Sequence, residues 1–252
     1  PQPRLFRFKE EGAVVNRMGF NNGGIELFSQ KLRQWKYSGF EDKDVVIGAN
    51  IGKNKNSAND ETDYIKCIDS VYGLCDYLVI NISSPNTPGL REMQKKDSLA
   101  NLLTKVKTEI LNIKTKYKGN LPVILKISPD ESEENLVDIA EVVMDKKING
   151  VIISNTSIDK KIFKDRGFAE NKITGGISGK PLFKKSTQTL ERFYILTEGK
   201  IPLIGVGGIS SAEDAYEKIC KGASLVQLYS ALVYNGFDLI TDINKGLIEL
   251  LK

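Results

Sequence analysis

The sequence predicts an α/β chain folded as a (β/α)8 TIM barrel, apparently incomplete, with six of the eight barrel strands in this chain. Three observations carry this reading. Six β-branched, apolar runs recur along the chain, each nearly continuous in hydrophobicity, as a parallel sheet buried on both faces requires. Helical patterns separate the runs, giving repeated βα alternation. Polar residues and glycines follow the C-terminal end of almost every run. A doubly wound sheet would concentrate them at one switch point, whereas a barrel rings its site with βα loops.

The elements follow in order. Arg4–Lys9 (RLFRFK) and Gly12–Asn16 (GAVVN) read as an excursion outside the barrel, so the first two barrel strands are expected to lie outside this chain. The six runs are Val45–Asn50, Tyr77–Asn81, Val123–Ile127, Gly150–Ser154, Pro202–Val206 and Ser224–Tyr229. Between them, Leu99, Leu102, Leu103, Val106, Ile110 and Ile113 keep the spacing of one apolar helical stripe. Asp130 with Glu133 is expected to open the next helix, whose Leu136, Ile139 and Val143 face inward. Ser210 with Glu213 fits a capping box, and Gly222 falls where that helix should end. The last helix, TDINKGLIELLK, stops without a cap. Residues 1–252 are thus expected to form a single, incomplete barrel domain, a fragment of a longer fold.

Composition bounds the chemistry. A chain of 252 residues, 40% hydrophobic, suffices for one sizeable core. The net charge of +4 comes with no dense basic block. Lys114, Lys116 and Lys118 are the nearest approach to a basic stripe and read as a solvated helix end, so nucleic acid is not an expected partner. Cys67, Cys75 and Cys220 show no metal-ligand spacing and read as reduced, structural thiols; no metal is expected. The chain has no histidine, which removes Ser-His-Asp hydrolysis, His-ligated metals and His general bases together. Acid–base work falls to Ser, Lys, Tyr, Asp or Glu. No apolar run approaches the roughly 18 residues of a membrane span, and no signal peptide is visible, although the chain starts at Pro1 without an initiator Met.

The strand ends hold the candidate site. They present Asn50, then Asn81 with Ser84 and Asn86, Lys126, Ser154 with Asn155 and Thr156, Gly207–Gly208, and Tyr229–Ser230; Asn16 and Asn21–Asn22 flank an RMGF segment. Amides dominate, and Asn offers two donors and an acceptor, which suits a flat heterocycle with alternating N–H and C=O edges. Lys126 lies among Val, Ile and Leu in mid-strand. A fixed ammonium there would stabilise the charge that a flavin develops on accepting hydride. The glycine-rich ends of the last strands, with SGKPL at 178–182, supply backbone N–H groups for a phosphate. Ser84 can serve as base in a dry, hydrogen-bonded site, under a lid formed by residues 85–93. Each element alone has a plainer reading: SPNTP as ordinary turn chemistry, a strand lysine that snorkels or pairs, GVGG as relief of crowding. Their concurrence at one face shifts the balance.

Eight segments in order carry a resemblance: NRMGFNN, IGANIGKNK, DYLVINISSPNTPGLR, VILKISPD, SNTS, TGGISGKPL, IPLIGVGGISS and GASLVQLYSAL. The chain resembles class 2 dihydroorotate dehydrogenases over nearly its whole length. The resemblance implies an FMN enzyme of pyrimidine synthesis that oxidises dihydroorotate to orotate, hydride leaving substrate C6 for flavin N5 while a base removes the C5 proton. Ser84 stands at the position of that base; class 1 relatives place cysteine there, so SSPN implies class 2, which passes electrons to a membrane quinone. By motif, Asn50, Asn81, Lys126, Ser154, Gly179, Gly208, Tyr229 and Ser230 would contact FMN. Asn16, Arg17, Met18, Gly19, Phe20, Asn81, Asn86, Asn155 and Thr156 would hold the substrate. The family's first two strands, with a substrate-binding lysine, and the N-terminal element that meets the membrane surface are not seen in this sequence. A monomer associated with the bacterial inner membrane, on its cytoplasmic side, or with the mitochondrial inner membrane is expected. Two rivals are a flavin-free barrel isomerase or synthase using Lys126 as a Schiff-base or acid–base lysine, and an inactive barrel fragment acting as a binding module.

Overall fold

The βα alternation read from the sequence is realised as a six-stranded parallel sheet flanked by helices. The computed structural model describes residues 2–38, 45–57, 60–115, 119–163 and 173–252; Lys116 and Lys118 of the basic stripe lie outside them. In chain order the strands are β1 (Leu5–Phe8), β2 (Ala13–Asn16), β3 (Gly48–Ile51), β4 (Tyr77–Asn81), β5 (Val123–Ile127), β6 (Gly150–Ile153), β7 (Gly176–Gly179), β8 (Leu203–Val206) and β9 (Ala223–Gln227). The helices are α1 (Ile25–Tyr37), α2 (Asp60–Val71), α3 (Lys96–Lys114), α4 (Glu133–Asp145), α5 (Phe183–Leu196), α6 (Ala212–Cys220), α7 (Ser230–Asn235) and α8 (Asp238–Leu250). The parallel sheet runs β3-β4-β5-β6-β8-β9, and a second, antiparallel sheet runs β1-β2-β7. The edges of β3 and β9 do not meet, so the barrel is incomplete in the described residues.

Strand residues alternate between two environments because successive Cβ atoms point to opposite faces. Leu78, Ile80, Leu125, Ile127, Val151, Ile153 and Leu203 face outward into the main core, against Leu99, Leu102, Leu103 and Val106 of α3, Ile139 and Val143 of α4, and Leu190 and Phe193 of α5. The inner face carries a smaller cluster of Val79, Ile152 and Ile204, with Tyr77, Ile124 and Val206 packed on it. This two-sided burial explains the continuous apolar runs. Val45 and Val46 are exposed and precede β3, so that run starts three residues later than its composition suggests.

Two helix starts differ from the expected ones. The cap of α4 is Ser132, which accepts the Asn135 N–H at 3.2 Å; Asp130 is drawn instead into an ionic cluster. The cap of α6 is Ser211, which accepts from Asp214 N, while Ser210 donates to the Asp214 carboxylate. Gly222, with φ +105°, follows the end of α6 as expected. The three cysteines are free; Cys67 and Cys75 are half-buried and Cys220 is exposed.

The N-terminal excursion is a hairpin, β1–β2, to which β7 adds antiparallel with Ala13 opposite Gly179 and Asn16 opposite Gly176. The SGKPL segment therefore contributes part of a strand as well as a loop. Gly179 has φ +88°, and a Cβ there would fall 2.1 Å from the Gly12 carbonyl oxygen. Only glycine lets the two strands approach so closely.

Candidate active site

The strand tips and the antiparallel sheet enclose a cavity of about 960 Å³, a size suited to a cofactor with a small substrate. Lys126 and Ser154 line it from the parallel sheet, Gly207–Ser210 and Gln227–Ala231 from the last two βα loops, and Val14, Asn16, Ser178 and Gly179 from the antiparallel sheet. Met18, Gly19, Asn155 and Thr156 also face it.

Lys126 stands opposite Asn81 on β4 and Ile152 on β6, beside the apolar inner cluster. Among the described residues its ammonium has no hydrogen-bond or ion-pair partner. Burial pushes its pKa below the ordinary lysine value. An unpaired ammonium in such surroundings is costly, so the site favours a ligand that brings electron density to it. Thr156 Oγ1 is a buried polar atom without a hydrogen-bond partner among the described residues. These two orphaned groups, with the amides around them, fit the polar edge of a flavin and a small carboxylate.

Ser84 lies three residues beyond β4, whose last residue, Asn81, is the register partner of Lys126. Serine and lysine thus share one end of the sheet. Ser84 is buried, and its Oγ accepts the Asn86 N–H at 3.3 Å. Ser83 beside it is a hub: its Oγ donates to Asn81 Oδ1 at 2.8 Å and accepts from Asn155 Nδ2 at 2.9 Å. The loop after β4 touches β2, where Asn86 Nδ2 donates to the Asn16 carbonyl at 3.2 Å. Ser84, Asn81 and Asn86 are not among the residues that line the cavity.

The remaining candidates divide. Tyr229 and Ser230 line the cavity, with Ser230 Oγ donating to Ser178 Oγ at 2.8 Å. Gly208 lines it too, beside Gly207. Phe20 packs on the loop after β3, where a Cβ on Gly52 would lie 2.6 Å from its ring. Asn50 is exposed on β3, opposite Val79, and away from the cavity wall. Arg17 is turned outward: its guanidinium donates to Pro3 O and to Thr174 Oγ1, so its side chain is not brought to the site.

Sequence reasoning missed the tie behind Ser84. Arg91 Nε donates to Ser83 O at 3.2 Å, Nη1 to Asp130 at 3.0 Å and Nη2 to Thr156 O at 3.1 Å. Asp130 also pairs with Lys185 at 2.9 Å and accepts from Ser157 and the Ile158 N–H. Burial pushes the Asp130 carboxyl up, but those hydrogen bonds and the Lys185 charge outweigh it and hold the pKa below the usual range. Ser83 and Ser178 were equally unmarked by spacing; the only signal was their place inside the polar segments after β4 and in β7.

The dihydroorotate dehydrogenase family model matches residues 1–251. Dihydroorotate dehydrogenase (quinone) of Parvibaculum lavamentivorans is 47% identical over 98% of this chain and 67% of its own length. The mitochondrial dihydroorotate dehydrogenase (quinone) of Oryza sativa subsp. japonica is 43% identical over 100% of this chain and 58% of its own. The crystal structure of DHODH from Eimeria tenella in complex with ferulenol superposes with a TM-score of 0.90 at 33% identity, covering 100% of this chain and 70% of that one. The chain therefore spans 58% to 70% of these three proteins.

Proposed function

Because the chain belongs to the dihydroorotate dehydrogenase family, we propose that it oxidises dihydroorotate to orotate in pyrimidine biosynthesis, with FMN as cofactor and a quinone as final electron acceptor. One observation carries the reading: a half-buried ammonium without a partner among the described residues and a buried serine hydroxyl share the same sheet end, beside a hydrogen-bonded Asn81–Ser83–Asn155 network. The oxidation removes two electrons and two protons from the substrate. Bound FMN would supply the two-electron acceptor. A hydride goes to that acceptor, and the second proton goes to a base on this chain.

Lys126, on the cavity wall, would offer positive charge to the polar edge of a bound flavin, which favours electron uptake. Ser154, Gly179, Gly208, Tyr229 and Ser230, which line the cavity, would hold the cofactor; Asn50 and Asn81, carried by the family motif, would meet it from the tips of β3 and β4. Asn16, Asn86, Asn155 and Thr156 present amide and hydroxyl groups to the substrate ring and carboxylate, and the backbone of Arg17 to Phe20 completes that wall. Ser84 would take the proton from substrate C5 while its own hydroxyl proton passes onward to solvent outside the loop, its oxygen stabilised by the Asn86 N–H. With the Asn86–Asn16 contact made, the loop would help to exclude water from this step. Access for substrate then requires the Asn86–Asn16 contact to open. Among the described residues no helix is long and apolar enough to cross a membrane; quinone reduction would place the working protein at a membrane surface.

Ser84→Ala tests the assignment. FMN should stay bound while single-turnover flavin reduction by dihydroorotate slows by about 10²–10⁴-fold, the usual worth of a general base. An unchanged rate removes Ser84 from the role.

A further inference from the structure

Lys218, on α6, is fully buried, and the chemistry above makes no use of it. Its Nζ donates to Ser186 Oγ on α5 at 2.6 Å and lies 5.0 Å from the centroid of the Phe183 ring. Its stem runs along β8, where a Cβ on Gly205 would meet Lys218 Cβ and Cδ at 3.3 Å. Ser186 Oγ lies 3.0 Å from the carbonyl oxygens of both Gly207 and Phe183. An ammonium can only donate, so it occupies a lone pair of the serine oxygen and leaves the hydroxyl hydrogen for those carbonyls.

The consequence falls on the cavity. Gly207 and Gly208 line it. In a trans peptide the C=O and the following N–H point in opposite directions. Tying the Gly207 carbonyl to Ser186 therefore turns the Gly208 N–H to the other side. That N–H makes no backbone hydrogen bond among the described residues. The turn has room for no other residue type at 208, where φ is +80° and a Cβ would lie 2.6 Å from Phe183 N and Cα. The groups facing Lys218 from β8 and α5 are Gly205, Phe183 and Ser186, all uncharged; the acidic groups acting on it, Glu217 and Asp214, belong to its own helix.

We propose that Lys218 and Ser186 are positioning residues for an anion subsite, fixing the Gly207–Gly208 turn so that the Gly208 N–H is presented to the phosphate end of bound FMN. The inference rests on the flavin reading above and assigns part of its affinity to two residues that never touch the flavin. A merely structural lysine would be replaceable by a chain of equal length.

Riboflavin separates the possibilities, because it carries the same ring without the phosphate. Fluorescence titration of the full chain should show that Lys218→Met weakens FMN binding roughly tenfold, the worth of about one hydrogen bond, while riboflavin affinity holds. Ser186→Ala, which removes only the relay hydroxyl, should do the same and should add little to K218M. Equal weakening of both flavins, or unchanged FMN affinity in both variants, overturns the proposal. So does a wild-type chain that binds the two flavins equally. A wild-type chain that binds neither sinks the FMN reading itself, and this inference with it.

Discussion

At the scale of single residues, Lys126 and Lys218 are two lysines whose pKa burial lowers. Among the described residues Lys126 faces the cavity without a partner, whereas Lys218 is held by Ser186. Lys126→Ala should therefore act on cofactor retention: FMN should wash out during gel filtration, read as a loss of flavin absorbance per chain, while the fold persists. Full flavin content in that variant would remove Lys126 from the site. Burial lowers the pKa of Lys218 from 10.5 to about 7. Its folded-state value lies below its unfolded value, so between about 7 and 10.5 the unfolded chain binds the extra proton. Stability should rise with pH across that window and lose this dependence below it, with a slope of at most about 1.4 kcal/mol per pH unit for one proton. Lys218→Met removes the group. The difference in unfolding free energy between wild type and variant, measured without flavin, should change with pH across the window. Parallel profiles would mean that Lys218 titrates normally.

At the scale of elements, the sequence was most legible where burial is two-sided. β4 and β5 begin and end where their apolar runs do, and α3 buries the stripe its spacing marks. Legibility failed where partners are distant. The Gly176–Gly179 strand is short and glycine-rich, and it exists because β2, far off in sequence, pairs with it. Asp130 has the look of a helix cap, but Lys185 and Arg91 compete for its carboxylate and win. Arg91 itself carries no periodic signal, yet its fork joins the loops after β4, β5 and β6. Arg91→Ala should raise the KM for dihydroorotate and lower stability by about 1.5–3 kcal/mol, the worth of hydrogen bonds to charged groups. Lysine cannot reproduce a planar three-way fork, so Arg91→Lys should recover little of the lost KM. A lysine variant with wild-type kinetics would reduce Arg91 to a simple charge.

At the scale of the whole molecule, the two faces of the parallel sheet are unequally filled, and stability should divide accordingly. The outer face packs against α2 to α5 in one continuous core. The inner face holds far fewer side chains, and its layer loses cover toward β9. Ile152 is 1% exposed and Ile204 is 7% exposed, but Leu225, the register partner of Ile204, is 63% exposed. These residues are chemically alike and lie on one layer, so the gradient in exposure is a gradient in the apolar area each removes from water. Ile152→Ala should cost about 2–5 kcal/mol, transfer and cavity terms together. Leu225→Ala leaves no enclosed cavity and should stay within about 0.5 kcal/mol of wild type. Denaturant unfolding of the 252-residue chain reads both. Equal losses would mean that something covers Leu225 in solution, and that β9 is not the open side of this barrel.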